Sequence, residues 1–255
     1  MGYPFATGLV TGASSGLGRA LALELGRGGV RLALVARREG ELISLSLQIK
    51  EKGGEAMVLP ADLSHPEEAF RVVADAEKAL GPLDLVIANA GVGRYAFVVG
   101  LPWQEIEQTF MVNTLGTIAL VKAALPAMIR RHRGYIAGIS SLASYLGVPG
   151  SAHYSGSKAA LSTFLEGVRI ETYGRGVSII DVHPGFIRTP MTAPNKGHMP
   201  FLMEPERAAR LILRAIVRKR PVYNFPWQMS VFIRLFRILP LSLLDRLASR
   251  SARQR

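Results

Sequence analysis

An α/β architecture, one doubly wound parallel sheet with helices on both faces, follows from three observations on this 255-residue sequence. Short apolar runs alternate with longer amphipathic stretches, the signature of βαβ units. The apolar runs, such as VRLALVAR, are hydrophobic almost throughout, as strands buried on both faces must be. No shift in composition marks a domain boundary before about residue 190.

The elements follow in order. FATGLVTG is a first strand ending in a glycine-rich turn. Leu17 to Gly26 is a helix with Leu17, Leu21 and Leu25 on one face. VRLALVAR is the second strand, and Glu39 to Lys52 is a helix stopped by Gly53 and Gly54. EAMVLPADL is the third strand. Pro66 to Leu80 is a helix, with Gly81 and Pro82 beyond its end. LDLVIANAG is the fourth strand. Leu101 to Arg131 reads as helical with a break near Pro126. GYIAGISS, a helix from Ala152 to Tyr173, and VSIIDVHPG complete the regular alternation. Glu204 to Arg220 is an amphipathic helix, and PVYNFP supplies a last strand. This divides the chain into a main domain, residues 1–225, and an amphipathic helical extension, residues 226–255.

Composition excludes several classes. Hydrophobic residues make up 49% of the chain and charged residues 20%, so a disordered chain is excluded. There is no cysteine, which removes disulfides, thiolate metal sites and a cysteine nucleophile. No His/Asp/Glu cluster has metal-ligand spacing. No long uncharged apolar run predicts a transmembrane helix. The N-terminus has no secretory pattern, and Ala6 stands where myristoylation wants Ser or Thr. The expected location is the cytoplasm, with peripheral membrane contact as an open alternative.

The net charge is +12, and it is concentrated at one end: residues 201–255 hold 12 basic and 3 acidic side chains. Such a segment suits anionic lipid or an acidic partner, or is simply a solvated face. Nucleic acid is not expected, because the aromatics there sit in apolar runs instead of alternating with basic residues.

The turn after the first strand is Thr11-Gly12-Ala13-Ser14-Ser15-Gly16-Leu17-Gly18. Glycines between strand and helix let a pyrophosphate approach the backbone, and the helix N-terminus offers unpaired N–H groups. The second strand ends in Ala36-Arg37-Arg38. No carboxylate is there to hold the adenosine ribose hydroxyls, whereas two guanidinium groups can pair with a 2′-phosphate. NADP(H) is therefore the expected cofactor, with Arg37 the leading contact. Arg38 has the competing reading of a surface charge.

Tyr154 and Lys158 stand at i and i+4 on one helix, so they share a face. A neighbouring ammonium is expected to lower the phenol pKa from about 10. Ser141 ends the fifth strand, where the carboxyl ends of a doubly wound sheet face the ligand crevice.

With these residues the chain resembles the short-chain dehydrogenase/reductases. TGASSGLG at 11–18, Asp62, Asn89-Ala90-Gly91, Asn113, Ser141, YSGSK at 154–158 and PGFIRT at 184–189 match that family's pattern in order. The resemblance covers roughly residues 5–225 and implies a Rossmann-type sheet of seven parallel strands. It implies a catalytic set of Asn113, Ser141, Tyr154 and Lys158. Tyr154 would be the proton donor in reduction. Lys158 would lower the Tyr154 pKa and hold the nicotinamide ribose. Ser141, not Ser140, would orient the carbonyl, and Asn113 would support a water in the proton relay. The cofactor set is Gly12, Ser14, Ser15, Gly16, Leu17 and Gly18, with Arg37, Arg38, Asp62, Leu63, Asn89, Ala90 and Gly91. Tyr154, Lys158, Pro184, Gly185, Ile187 and Thr189 complete it. Two positions depart from the pattern. Ala88 replaces a common Asn, and His183 stands where Asn or Ser is usual, read here as strand-end packing.

The substrate side is expected from Ser141, Tyr154, Arg94, His153 and Met191, with Tyr95 and Phe97 nearby. Residues 189–204, rich in Pro, Gly and Met, fall where the family's lid lies. The implied reaction is NADPH-dependent interconversion of a carbonyl and an alcohol, on a lipophilic ketone or aldehyde. A 3-oxoacyl carrier-protein reductase is the nearest alternative, and a non-catalytic NADP(H)-binding scaffold or sensor docking by its basic end is the alternative of another kind. The family implies a homodimer or homotetramer. Three readings of the 226–255 extension stand open: packing on the body or a twin subunit, lying in a membrane interface, and extending the substrate pocket.

Overall fold

Strand β1 (Thr7–Thr11) is buried at every position and pairs in parallel with both β2 (Arg31–Ala36) and β4 (Leu85–Ala88). Around it the sheet extends through β3 (Ala56–Pro60) on one side and β5 (Gly134–Ile139), β6 (Val177–Pro184) and β7 (Val222–Phe225) on the other. The order is β3-β2-β1-β4-β5-β6-β7, all parallel. The computed structural model describes residues 2–195, 197 and 199–246.

Successive strand residues point to opposite faces, which produces two cores. Val10, Leu34, Ile87 and Ile180 pack against α1 (Gly16–Arg27), α2 (Glu39–Glu51) and α7 (Pro205–Val217). Their neighbours Leu9, Val35, Val86 and Ile179 pack against α3 (Pro66–Leu80), α5 (Thr117–Arg130) and α6 (Ala152–Glu171). The expected doubly wound arrangement is thus the observed one.

Pro126 does not break its helix. Instead α4 (Trp103–Phe110), a π-helical segment Met111–Gly116 and α5 run on continuously, with Pro126 inside α5. Proline removes one helical hydrogen bond, but Leu120, Val121, Ala124 and Met128 are buried around it and their packing outweighs that loss. The irregularity falls earlier, at the π segment that carries Asn113. Gly116 closes that segment, where a Cβ would overlap the Leu63 carbonyl. The 28-residue run Trp103–Arg130 is long and apolar enough to cross a membrane, yet it is the core helix over this face of the sheet.

The C-terminal extension begins with α8 (Trp227–Arg237), which packs on β7 and on a single helical turn, Leu142–Ser144, after β5. Residues 241–246 are again helical. The remainder of the sequence-defined extension, from Leu247, lies outside the described residues.

Helix α6 carries Tyr154 and Lys158, and Leu161, Leu165 and Val168 hold it to the sheet. Leu165 lies so close to Gly138 of β5 that a Cβ there would meet its methyl group. Leu165→Ala should therefore cost about 2–5 kcal/mol in urea unfolding. A loss below about 1 kcal/mol would show that this contact does not anchor the helix.

Candidate active site

The polar cleft opens where the carboxyl ends of β1 and β4 diverge. Thr11 ties the two ends together: its Oγ1 accepts the Asn89 and Ala90 N–H groups at 2.9 Å, and its carbonyl accepts Asn89 Nδ2 at 3.0 Å. The turn between β1 and α1 then needs glycine twice over. Gly12 and Gly16 have φ of 64° and 54°. At Gly18 any Cβ would overlap the Gly12 carbonyl, so α1 can start only this close to the strand with glycine there. No acidic residue lies in the first turn of α1, leaving its N-terminal dipole unopposed.

All the residues of the sequence-derived cofactor set line this cleft. Gly12, Ser14, Ser15, Gly16, Leu17 and Gly18 form its floor. Arg37 and Arg38 stand at one end beside Asp62 and Leu63. Asn89, Ala90 and Gly91 form the middle, and Pro184, Gly185, Ile187 and Thr189 close the far side with Tyr154 and Lys158. Arg38 is more than a surface charge. It donates to Ser14 Oγ at 2.9 Å and Ser15 Oγ at 2.8 Å, bracing the turn. Arg37 is more than half exposed and 3.7 Å from Asp62. Burial raises the Asp62 carboxyl pKa, but hydrogen bonds from Ser64 and the Arg37 charge outweigh it, so the net shift is downward. The glycine cradle, open helix N-terminus and paired arginines fit a phosphorylated dinucleotide.

A second, more apolar cleft adjoins the first. Ser141, Tyr154, Pro184, Gly185, Met191 and Thr192 line both. Arg94 and Tyr95 also line it, as do Met229 and Ile233 of α8. Arg94 has its guanidinium 2.6 Å from Glu105, so its charge is already paired. Phe97 is not among the lining residues but packs edge-on against Tyr95 at 6.0 Å. His153 lines neither cleft and is buried. Adjacent helical positions point about 100° apart, so His153 cannot share the face of Tyr154. Burial lowers its pKa, against the Glu105 charge. Of the lid, Met191, Thr192 and Asn195 reach the cleft, whereas Lys196 and His198 lie outside the described residues.

Ser141 and Tyr154 face this junction, and a Ser141 hydrogen bond reaches the phenol. The neighbouring Ser140 points away: its hydroxyl donates to the Lys158 carbonyl at 3.1 Å and meets Ser162. The expectation that Lys158 lowers the Tyr154 pKa is not met. Burial raises it, and only the Ser141 hydrogen bond opposes this. Lys158 Nζ donates instead to the Ile139 carbonyl at 2.7 Å and lies 5.9 Å from the Tyr154 ring centre. Its own pKa is pulled down to about 8 by burial, against the charge of Asp181.

Asn113 is fully buried and lines neither cleft. Its Oδ1 accepts Val92 N–H at 2.7 Å; its Nδ2 donates to the Val92 carbonyl at 2.9 Å and to Ser157 Oγ at 3.0 Å. The side chain thereby locks the 91–93 segment to α6. Three contributors were missed from sequence. Gly93 has the Tyr154 ring so near that a Cβ would sit 2.7 Å from Cδ2. Ser157 links Asn113 to the Tyr154 carbonyl. Asp181 shares a face of β6 with His183, their side chains 2.8 Å apart, while His183 Nδ1 lies 3.0 Å from Ser144 Oγ and 3.1 Å from the Ser141 carbonyl. His183 thus packs at the strand end as expected, and it also steadies the Ser141 turn. Only the two-residue spacing of Asp181 and His183 on a strand could have suggested their pairing.

Residues 6–199 match the short chain dehydrogenase family model. An "Uncharacterized oxidoreductase" of Myxococcus xanthus is 41% identical, over 96% of this chain and 97% of its own. A "Fatty acyl-CoA reductase" of Acinetobacter baylyi is 35% identical, over 84% of this chain and 73% of its own. The structure of an alcohol dehydrogenase from Thermococcus sibiricus, complexed with 5-hydroxy-NADP, aligns with a TM-score of 0.77 and 27% identity, covering 86% of this chain and 94% of that one.

The buried Lys158 gives a stability signature. Its folded pKa of about 8 lies below the ordinary lysine value, so the unfolded chain holds more protons between pH 8 and about 10.5. Wild-type stability should rise through that interval relative to Lys158→Met, by about 3 kcal/mol. Urea unfolding at pH 7.5, 9 and 10.5 measures the difference; a constant gap would refute the burial penalty.

Proposed function

The chain belongs to the short-chain dehydrogenase family of oxidoreductases, and we propose that within it the protein is an NADPH-dependent reductase of lipophilic ketones or aldehydes. The observation that carries this reading is the junction of the two clefts. The groups able to handle a carbonyl oxygen, Ser141 and Tyr154, line both the polar cleft and the apolar one.

When bound, the nicotinamide supplies the hydride for the carbonyl carbon. The protein's part is oxygen chemistry and positioning. The Ser141 hydroxyl hydrogen-bonds the substrate oxygen and orients it toward Tyr154. The Tyr154 phenol donates a proton to that oxygen as negative charge builds there. A pKa raised by burial keeps the phenol protonated near neutrality, the state a donor needs in the reductive direction. Lys158 brings positive charge within 5.9 Å of the Tyr154 ring and would hold the nicotinamide ribose, while Asn113 fixes the 91–93 segment that packs on the Tyr154 ring. Arg37 and Arg38, with no acidic residue at the end of β2, support NADPH over NADH. The apolar wall of Met191, Met229 and Ile233 supports a lipophilic substrate, and the fatty acyl relative is in keeping with it. A 3-oxoacyl group on an acidic carrier protein is a second reading, favoured by the net charge of +12. An apolar groove between α5 and α6, lined by Ile118, Leu125, Phe164 and Val168, supports a homo-oligomer.

NADPH oxidation with long-chain aldehydes and ketones tests the reading. Tyr154→Phe should lower turnover by at least about 100-fold while NADPH binding persists. Wild-type-like turnover by that variant would sink the assignment of the proton donor. No turnover with any carbonyl, despite tight NADPH binding, would favour a binding protein. Arg37→Ala should raise the KM for NADPH by about tenfold and leave that for NADH nearly unchanged. An equal effect on both would remove Arg37 from recognition of the 2′-phosphate.

A further inference from the structure

We infer that α8 is a membrane-interface helix with two working faces: the outer docks the protein on an anionic lipid surface, and the inner admits a bilayer-resident carbonyl compound to the apolar cleft. The second half rests on the reductase reading above; the first does not.

The helix carries two apolar stripes. Met229 and Ile233, four residues apart, line the cleft beside Met191 and Phe186, with Ser230 buried between them. Trp227, Val231, Leu235 and Ile238 fall on the other side at helical spacing. They are 69%, 46%, 58% and 78% exposed, with Phe232 alongside at 63%. The exposed surface continues past Pro240, where Leu241 is 76% exposed. A helix at the edge of a folded body normally spends one apolar stripe on the body and turns a polar face outward. Here the inner stripe is already used and the outer face is again apolar, including a Trp. That surface is costly in water and suited to the boundary between headgroups and acyl chains.

Charge selects the occupant. Arg234 and Arg237 lie on the same helix, and the net charge of +9 over residues 201–255 includes Arg250, Arg253 and Arg255 in the last six positions. Basic side chains beside an apolar stripe match the negative surface of anionic lipid. A second copy docked on the same face would bring together two helices that each carry Arg234 and Arg237 and no acidic side chain, which is unfavourable. The α5–α6 groove offers a separate apolar surface for self-association. Because the same helix walls the cleft, a lipophilic substrate can pass from the acyl region to Tyr154 along Met229 and Ile233.

Flotation of the 255-residue protein with vesicles tests this. Vesicles of phosphatidylcholine alone are compared with vesicles containing about 30% phosphatidylglycerol. Binding should be at least about tenfold stronger to the anionic vesicles, and Leu235→Glu/Ile238→Glu should reduce it by at least about tenfold. That double variant should keep the wild-type melting temperature. In a Trp103→Phe background, Trp227 emission should move to shorter wavelength with anionic vesicles. Failure to float, or unchanged flotation of the double variant, overturns the docking. So does a concentration-dependent dimer that the same two substitutions dissociate without any vesicle binding, since a second copy would then cover the face. Delivery is read from two substrates, a long-chain aldehyde held in the vesicles and a short soluble one. The double variant should lose about tenfold on the first and nothing on the second. Equal rates or equal losses overturn delivery. Vesicle binding by wild type with no turnover of either aldehyde overturns the reductase reading and delivery together, and leaves docking standing.

Discussion

Parallel strand pairing is the constraint on which the rest of this structure depends. Parallel neighbours cannot be joined by a tight turn, so each strand before β7 is followed by a helical crossover and every carboxyl end falls on one edge. The strand order runs outward in both directions from the β1–β4 pair. The chains leaving those two strands must separate, and the gap between them becomes the polar cleft. Thr11 and Asn89 hold its two lips at hydrogen-bond distance. Gly12 and Gly18 let α1 begin directly against that lip. The cleft is thus a consequence of topology, maintained by a few side chains.

Tyr154 and Lys158 sit in a buried part of that cleft, and burial sets their properties. Lys158 is almost wholly enclosed and has one strong acceptor, the Ile139 carbonyl, with Asp181 nearby to favour its charge. Tyr154 is pushed toward its protonated form by the same desolvation. Hydrogen-bonded supports that line neither cleft stand behind Tyr154 and the Ser141 turn: Asn113 with Ser157 behind the first, and Asp181 with His183 behind the second. The π segment at Met111–Gly116 interrupts the regular helical ladder at the residue that makes the first of these supports.

The apolar cleft is built differently. Beside Ser141, Tyr154 and Pro184 of the β/α body, its walls come from the 93–95 segment, the 142–151 segment, the lid and α8. Met229 and Ile233 of α8 line this cleft alone, so that wall can vary without altering the lining of the polar cleft. Helix α8 belongs at once to the wall of that cleft and to an exposed apolar surface beside it.

The sequence by itself determined the seven parallel strands, most helix limits to within a few residues, the glycine turn, and the i, i+4 pairing of Tyr154 with Lys158. These rest on local rules: periodicity, glycine and proline chemistry, and the rise of a helix. It also carried a family pattern dense enough that every residue of the cofactor set lines the polar cleft. What only the tertiary structure decided depends on who the neighbours are. Pro126 stays inside a helix because the burial of Leu120, Val121, Ala124 and Met128 against the sheet outweighs one lost hydrogen bond. His153 turns away because its helix face is fixed by Leu161 and Leu165. The Tyr154 pKa moves up instead of down because desolvation, invisible in a spacing, exceeds the effect of a lysine that points at a backbone carbonyl. Arg38 braces the turn because Ser14 and Ser15, more than twenty residues earlier, fold back beside it. Long-range contact and burial set each of these outcomes, and neither is encoded in a local window of residues.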